Sequence, residues 1–310
     1  MKAMSERRGP FHEGELALQE ATGEGQAGAG NGRIVADRIT PNAVGFVARQ
    51  ELAFVATIDG DGRPWASALV GPVESFRVLD DTRLALERAA ARPDDPLWAN
   101  LGHDPRIGVL FVELGSRRRY RVNGRVADPG ADPLVVDVAE ALPNCPKYIT
   151  RRHLVVDTAD DAAPAAPAAE SGTTLGAGEQ AIIAAADTFL VASANPAGNL
   201  DASHRGGRPG FVEWRAGRLW VPDYPGNSMF MTLGNLAVNP KAGLLFVDFD
   251  AGQTLQMTGT TAIDLEVGGG DAGLTGGTGR AWTFTPTAWR RAPLAHRVRA
   301  ETLDASPFNP

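Results

Sequence analysis

The sequence predicts a mainly β protein with short helices, in which two copies of one small antiparallel barrel follow each other along the chain. Residues 83–124 match a segment 135 positions later, with Gly108 against Gly243 and Phe111 against Phe246. Self-similarity at a fixed spacing is typical of a repeated fold unit. Each copy also holds about six short apolar segments separated by turn residues, which favours a small barrel over a parallel sheet.

The first copy is predicted to occupy residues 36–156 and to begin with a helix, for which Thr40 and Pro41 provide the cap and the first-turn proline. Further on, Asp59–Gly62 is a hairpin turn between two apolar segments. The predicted elements are, in order, a helix over Thr40–Gln50, strands over Leu52–Ile58, Trp65–Val70 and Arg77–Leu86, a helix over Pro96–His103, and strands over Arg106–Glu113 and Arg118–Ala127.

The second copy is predicted to occupy residues 179–310 and to follow the same order. Its elements are a helix over Glu179–Asp187, strands over Thr188–Ala194, Asp201–Arg205, Phe211–Trp214 and Leu219–Pro222, a helix over Ser228–Leu236, and strands over Lys241–Phe249 and Thr254–Ile263. An aromatic strand over Arg280–Arg291 comes after this copy. The Gly-rich run Gly268–Gly279 is predicted to be a flexible loop.

Three segments do not belong to the repeated pattern. Residues 1–35 form a polar N-terminal extension with one short helical candidate, Glu13–Glu20, and are expected to lie over the surface. Residues 157–178 are dominated by Ala, Pro, Asp and Gly, which predicts a semi-extended linker. The segment Leu142–Arg152 precedes this linker and matches neither copy.

The composition argues against several classes of partner. The formal net charge is −7 over 310 residues, whereas a protein whose main partner is nucleic acid needs a basic surface. No apolar run is long enough to span a membrane, so no membrane partner is expected. The single cysteine, Cys145, cannot form an internal disulfide, which predicts a cytoplasmic location and a buried, inert thiol. The five histidines lie at no metal-ligand spacing, so no metal is expected.

The copies diverge most after the matched serines Ser67 and Ser203. The first copy continues with the apolar Ala68–Val70, whereas the second continues with the cationic, Gly-rich His204–Phe211. A cation at a strand end followed by glycines suits an anionic or planar ligand that lies against the backbone. A polar hairpin loop with solvated arginines is the alternative. For the basic run Arg117–Arg121, we expect a solvated strand edge unless the run faces an anionic ligand.

A second divergence lies at Pro222–Asn235, where Asn227 and Ser228 open the predicted helix. Free backbone N–H groups at a helix start, with the hydroxyls of Ser228 and Thr232 one turn apart, would suit a phosphate. Ordinary helix capping by Asn227 or Ser228 is the alternative. The first copy carries two aspartates at this place, which would repel a phosphate.

Two further places are candidates for the same site. Polar residues, Gln253 and Thr254 among them, alternate along the strand that leads to Gly259. These side chains would reach a ring or a ribityl chain, or form the solvated face of the strand. Lys147 and Tyr148 would line a cleft, and the alternative is a structural turn with Lys147 on the surface.

These motifs carry a resemblance to a known family. Four segments of the second copy resemble the pyridoxamine 5′-phosphate oxidase-like FMN-binding split-barrel proteins, namely Ser203–Phe211, Pro222–Asn227, Thr232–Asn235 and Asn239–Phe246. Three more resemble the bacterial two-repeat members of that family, namely Phe11–Glu20, Arg121–Gly124 and Asn144–Tyr148. The likeness covers most of the chain. Its motifs are specific for the fold, but they are weak evidence for any particular reaction.

The resemblance implies two tandem six-stranded antiparallel split barrels, with FMN at an interface between two barrels in a homodimer or an intramolecular pseudo-dimer. Arg205 would lie near the pyrimidine side of the ring, with the hydroxyls of the second copy toward the phosphate. Relatives carry an arginine where this chain has Ser228 and Met229, and Arg205 or Lys147 would replace that charge. The residues implied to bind the cofactor are Ser203, His204, Arg205, Gly206, Asn227, Ser228, Thr232, Asn235, Gln253, Thr254, Lys147 and Tyr148.

The activity implied by the resemblance is that of an FMN-dependent oxidoreductase with hydride transfer through flavin N5 and a small-molecule substrate. No catalytic residue is assigned, although His204 is the only histidine of the motif. The alternative is a non-catalytic protein that binds flavin, the deazaflavin F420 or haem. Because the polar, Gly-rich segments belong to the second copy, we expect that copy to make most of the flavin contacts.

Overall fold

The computed structural model describes residues 9–157, 167–196 and 198–310. Residues 1–8 of the predicted N-terminal extension and residues 158–166 of the predicted linker lie outside the described residues. Antiparallel strands and short helices make up the described chain, which confirms the prediction of a mainly β protein with short helices. No helix in these ranges is long and apolar enough to cross a membrane.

Six α-helices and seventeen strands follow one another along the described residues. The α-helices are α1 (Glu13–Ala21), α2 (Gly25–Asn31), α3 (Pro41–Ala48), α4 (Pro96–His103), α5 (Ala177–Ala185) and α6 (Met231–Val238), and 3₁₀ helices lie at Gly32–Ile34, Arg88–Ala90 and Gly269–Thr275. The strands are β1 (Leu52–Ile58), β2 (Pro64–Val70), β3 (Phe76–Asp80), β4 (Arg83–Leu86), β5 (Arg106–Glu113), β6 (Arg118–Val126), β7 (Leu134–Asn144), β8 (Arg151–Asp157), β9 (Glu170–Gly172), β10 (Thr188–Ala194), β11 (Leu200–Gly206), β12 (Glu213–Arg215), β13 (Arg218–Pro222), β14 (Lys241–Asp248), β15 (Gln253–Asp264), β16 (Ala281–Pro293) and β17 (Arg297–Asp304).

Two large antiparallel sheets share one strand order. The first runs β2-β1-β5-β6-β7-β4-β3, and the second runs β11-β10-β14-β15-β16-β13-β12, with β9 paired to β16. Both sheets remain open, and each has an irregularity in register at a glycine, Gly124 in the first and Gly259 in the second. An added Cβ at either glycine would lie about 2 Å from a carbonyl oxygen of the neighbouring strand, so the close approach of two backbones requires glycine there.

The two sheets pack against each other through a shared apolar core. Leu52, Phe54 and Leu110 of the first half and Leu190 and Leu245 of the second belong to one cluster of buried side chains. Each half also has a core of its own beneath its helices. Three buried clusters therefore hold the described chain together, and the middle one joins the halves.

Two glycines bring the backbones of the halves into direct contact. A Cβ on Gly108 of β5 would lie 2.2 Å from the carbonyl oxygen of Leu200 on β11. A Cβ on Gly243 of β14 would lie 2.6 Å from the carbonyl oxygen of Pro64 on β2. The glycines that match between the two halves of the sequence thus serve the junction between the sheets.

Several predicted elements differ from those in the structure. The predicted single strand Arg77–Leu86 is the hairpin β3–β4, because Asp80 accepts hydrogen bonds from the backbone N–H and hydroxyl of Thr82 and closes a tight turn. The sequence pattern does not predict strand β7, since prolines and acidic residues interrupt its apolar positions. Each sheet therefore has a path of seven strands, not six, and the aromatic strand β16 is part of the second sheet.

The connecting segments are more structured than predicted. Leu142–Asn144 belongs to β7, and Glu170–Gly172 of the predicted linker forms β9. The predicted flexible loop at Gly268–Gly279 contains a 3₁₀ helix, and the hydroxyl of Thr278 donates to the carbonyl oxygen of Asp223 at 2.6 Å. The N-terminal extension packs α1 against α6.

Candidate functional site

A pocket with a volume of about 140 Å³ lies where the two halves meet. That volume is below the roughly 300–1,000 Å³ of typical small-molecule sites. A larger ligand would therefore extend beyond the pocket or require its walls to move apart. The first half contributes Leu110, Arg119, Arg121, Asn144, Cys145, Lys147 and Tyr148. The second half contributes Ser203, His204, Arg205, Gly206, Phe211, Pro222, Asp223, Tyr224, Pro225, Gly226, Asn227, Ser228, Phe230, Met231, Thr232, Leu233 and Arg280, and Glu24 comes from the N-terminal extension.

Arg121 of β6 connects the halves inside this pocket. It is only 4% exposed, and its Nη2 donates to the hydroxyl of Ser203 at 2.6 Å while its Nη1 donates to Oδ1 of Asp201 at 3.3 Å. The hydroxyl of Thr232 donates to the same Ser203 oxygen at 2.8 Å. A buried pair of this kind is costly to break because the remaining charge has no water around it. Ser203 and Thr232 are thus positioned by an arginine of the other half.

Arg119 and Arg205 bring two further guanidinium groups to the pocket, one from each half. The Nε atom of each is buried and has no hydrogen-bond partner among the described residues. Burial lowers the pKa of Arg119 to about 9, with Arg205 and Arg121 adding repulsion. Burial also lowers the pKa of Arg205, against the attraction of Asp223. Cations that repel one another and keep unsatisfied donors are stabilised by a bound anion.

The imidazole of His204 adds a neutral donor and acceptor to the cationic group. His204 is 4% exposed, and neither ring nitrogen has a partner among the described residues. Burial, together with Arg119 and Arg205, holds its pKa well below the ordinary value of 6.5. His204 therefore carries no proton to donate as an imidazolium at neutral pH, which argues against it as a general acid.

Aromatic side chains form another wall. The rings of Tyr148 and Tyr224 lie 5.2 Å apart, and those of Phe211 and Tyr224 lie 6.4 Å apart. The hydroxyl of Tyr148 donates to the carbonyl oxygen of Pro225 at 2.9 Å, and burial raises the pKa of Tyr148 to about 12, so this hydroxyl stays protonated. Such a wall suits a flat ring system.

Gly206 allows the segment that carries Tyr148 to approach β11. A Cβ on Gly206 would lie 1.9 Å from the carbonyl oxygen of Tyr148. No side chain fits there unless the backbone of one segment moves. The glycine predicted to lie beside a ligand therefore lies beside the backbone of the other half.

The predicted helix start is wrong. Helix α6 begins at Met231, not at Ser228, because Ser228 and Phe230 have φ angles of +59° and +58°, which do not fit a right-handed helix. The hydroxyl of Ser228 donates to Oε2 of Glu24 at 2.5 Å. The hydroxyl expected to face a phosphate thus donates to a carboxylate of the protein.

The structure brings most of the predicted site residues into one pocket. Those that line it are Ser203, His204, Arg205, Gly206, Asn227, Ser228, Thr232, Lys147 and Tyr148. Cys145 also lines it and is half-buried, whereas the sequence predicts a buried thiol.

Asn235 lies outside this pocket and borders a neighbouring one. That cavity has a volume of about 550 Å³ and is also lined by His12, Glu15, Glu140 and Asp201. The amide nitrogen of Asn235 donates to Asp201 at 2.8 Å, and its oxygen lies 3.0 Å from Nε2 of His12. Asn235 therefore holds α1 and α6 together beside the candidate site.

Gln253 and Thr254 do not reach the pocket either. In each sheet the fourth strand of the order packs against the opposite half, so the pocket beside β11 is lined by β6 and not by β15. Thr254 holds in β15 the position that Arg119 holds in β6. Strand β15, which carries Gln253 and Thr254, packs against β2 of the first half instead.

The sequence signal for Arg119 and Arg121 is an alternating pattern that also fits a solvated strand edge. The two arginines alternate with Tyr120 along β6, and a period of two places alternate residues on one face of a strand. Recognising that this face meets the opposite half requires the packing of the two sheets.

Comparisons with known proteins agree with the sequence resemblance over part of the chain. Residues 39–159 match the sequence model of the family described as pyridoxamine 5′-phosphate oxidase. The search of curated protein sequences returned no match.

Solved structures give short, weak alignments. A putative pyridoxamine 5′-phosphate oxidase from Lactobacillus delbrueckii is 17% identical over 34% of this chain and 95% of its own, with a TM-score of 0.28. A pyridoxinephosphate oxidase family protein from Clostridium acetobutylicum is 16% identical over 40% of this chain and 90% of its own, with a TM-score of 0.27. The haem storage protein HutZ from Vibrio cholerae is 12% identical over 36% of this chain and 90% of its own, with a TM-score of 0.27. Scores this low carry no argument about function.

Proposed function

Residues 39–159 of this chain belong to the pyridoxamine 5′-phosphate oxidase-like family, and from that premise we propose that the protein is a cytoplasmic FMN-dependent oxidoreductase acting on a small molecule. The two sheets would be tandem split barrels that form an intramolecular pseudo-dimer, with one flavin between them. The pocket at the junction of the halves supports this placement, because it takes residues from both.

The observation that carries the proposal is the group of cations in that pocket. Its lining holds five cationic side chains and two carboxylates. Arg119 and Arg205 each keep an unpaired buried Nε, which suits a phosphate monoester because charged hydrogen bonds to phosphate are strong and directional. The aromatic wall of Phe211, Tyr148 and Tyr224 suits a flat ring.

In this proposal the residues of the chain bind, orient and shield the cofactor. Arg119 and Arg205 would hold the phosphate, and Arg121 would keep Ser203 and Thr232 in place. The neutral His204 would donate one hydrogen bond without adding charge. A bound flavin supplies the hydride-transfer chemistry, and the protein supplies its position and electrostatics.

A titration with FMN and with riboflavin tests the proposal. Wild-type protein should bind FMN more tightly than riboflavin, because only FMN carries the phosphate. Arg119→Gln should weaken FMN binding by about 1.5–3 kcal/mol, the worth of a hydrogen bond to a charged group, and leave riboflavin binding nearly unchanged. Arg125→Gln is the matched control, since Arg125 is an exposed arginine of the same strand. A protein that binds neither compound would contradict the proposal.

A second candidate function is haem binding without turnover. The observation that favours it is the neutral, unpaired imidazole of His204, because neutral imidazole is a common iron ligand. Added haem would then give a Soret band that His204→Ala shifts or removes. If FMN binds and haem gives only the spectrum of free haem, this candidate is excluded.

A further inference from the structure

The N-terminal extension reaches across the second half and brings one carboxylate to the pocket. The side-chain amide of Asn31 donates to the carbonyl oxygen of Asn227 at 2.8 Å. The side-chain amide of Gln19 donates to the carbonyl oxygen of Met229 at 3.4 Å. A Cβ on Gly28 would lie 2.7 Å from the carbonyl oxygen of Ser228. The extension thus lies directly on the loop that precedes α6, and Glu24 is its residue in the pocket lining.

Glu24 accepts hydrogen bonds from two donors in the part of the pocket around Ser228. Its Oε2 accepts from the hydroxyl of Ser228 at 2.5 Å, and its Oε1 accepts from Nη1 of Arg280 at 2.6 Å. The Nε of Arg280 donates to Asp223 at 2.9 Å. Two carboxylates therefore surround one guanidinium here, and this end has no positive charge left over for a ligand.

Two other cations of the pocket lining are not enclosed by carboxylates in this way. Arg119 and Arg205 each keep an unpaired Nε, and neither makes an ion pair within 4.0 Å among those found in the described residues. Arg121 is the neighbouring cation that pairs with Asp201. An anionic group entering the pocket is attracted by Arg119 and Arg205 and repelled by Glu24, which lies beside Ser228.

We propose that Glu24 is a specificity-determining residue, whose carboxylate excludes anionic groups from the Ser228 end of the pocket and so directs the phosphate of a ligand to Arg119 and Arg205. This inference rests on the proposed function, since it assigns an orientation to the ligand of that same pocket. It reverses the orientation expected from the sequence, in which Ser228 and Thr232 receive the phosphate. It also gives the N-terminal extension a role in ligand selection.

Binding measurements on Glu24→Gln test the inference. Glutamine keeps the size of the side chain and an acceptor oxygen, and it removes the charge. The probes are FMN, riboflavin and inorganic pyrophosphate, titrated by fluorescence quenching or calorimetry. Removing one like charge from the lining of the partly buried pocket should tighten binding of FMN and of pyrophosphate by roughly tenfold, and leave riboflavin binding unchanged.

Glu20→Gln is the matched control, because Glu20 is an exposed carboxylate of the same extension, and it should alter none of the three affinities. If Glu24→Gln weakens or does not change FMN binding while Arg119→Gln still weakens it, the role of Glu24 is overturned and the proposed function stands. An equal change for FMN and riboflavin also overturns it, since a structural or steric role does not discriminate by charge. If wild type and both variants bind none of the probes, the proposed function itself fails.

Discussion

Arg121 and Gln256 hold the same position in the two sheets, and each donates a hydrogen bond to a serine of the opposite half. Nη2 of Arg121 lies 2.6 Å from Oγ of Ser203, and Nε2 of Gln256 lies 2.9 Å from Oγ of Ser67. One contact carries a positive charge and the other carries none. This difference contributes to the chemical asymmetry between the two sides of the junction.

The side that contains Gln256 is closed by the protein itself. Oδ1 of Asp95 accepts from Oγ of Ser67 at 2.6 Å, and Oδ2 accepts from Nε2 of Gln256 at 3.3 Å. We therefore expect one flavin for each chain, because a buried carboxylate at the second position disfavours an anion. Flavin absorbance divided by protein concentration, measured after gel filtration of saturated protein, checks this ratio. A ratio of two would contradict the expected asymmetry.

Replacing Arg205 should weaken FMN binding. Arg205→Gln removes a guanidinium whose Nε is buried and unpaired in the pocket, and a hydrogen bond to a charged group is worth about 1.5–3 kcal/mol. Arg208→Gln is the control, since Arg208 is exposed and belongs to the same segment. In fluorescence titrations, the dissociation constants of the two variants for FMN should differ by at least about tenfold. Equal affinities would count against the site.

Replacing Gly206 should reduce both stability and binding. The new Cβ of Gly206→Ala would meet the carbonyl oxygen of Tyr148 at 1.9 Å, and relieving such overpacking costs about 1–3 kcal/mol. The shift would move Tyr148 in the pocket wall. Gly270→Ala is the control, because Gly270 lies outside the pocket lining and its Cβ would have no heavy atom within 4 Å. Thermal unfolding and FMN titration of both variants measure the effect, and matching values for the two would refute it.

The stability of the fold should decrease as the pH rises toward 8. Glu15 of α1 has a side chain only 5% exposed, and burial raises its pKa from 4.5 to about 8, with nearby Asp201 and Glu140 also raising it and Arg121 lowering it. Between these values the folded state binds more protons than the unfolded state. The free energy of unfolding should then fall with pH by at most about 1.4 kcal/mol per pH unit.

Glu15→Gln isolates this effect. Glutamine can still accept the hydrogen bond that the backbone N–H of His12 donates to Glu15 at 2.8 Å, but it does not titrate. The lowered pKa of His12 acts in the opposite direction, since a neutral buried histidine stabilises the fold as pH rises to 6.5. The comparison is therefore between urea unfolding profiles of variant and wild type from pH 5 to 8.5. Parallel profiles would show that Glu15 does not contribute.

Local elements were predictable where the sequence pattern and the packing act together. The strands Leu52–Ile58 and Arg106–Glu113 and the helix Pro96–His103 have the predicted bounds, because each combines a clear apolar pattern with turn or capping residues. Strand β7 escapes prediction because polar residues break its pattern, and its place in the sheet depends on pairing with β6 and with the distant strand β4. Sheet pairing thus overrides the local pattern there.

By itself the sequence determined that the chain is mainly β, that glycines recur at matched positions and that the second half carries a cationic, Gly-rich segment. Only the tertiary structure decided which strand completes the pocket. The residues next to Ser203 in the sequence do not indicate its hydrogen-bond partner, because Arg121 lies 82 positions away. The pairing depends on how two sheets pack through Gly108 and Gly243, and this packing makes a basic run with the pattern of a solvated edge into a wall of the pocket.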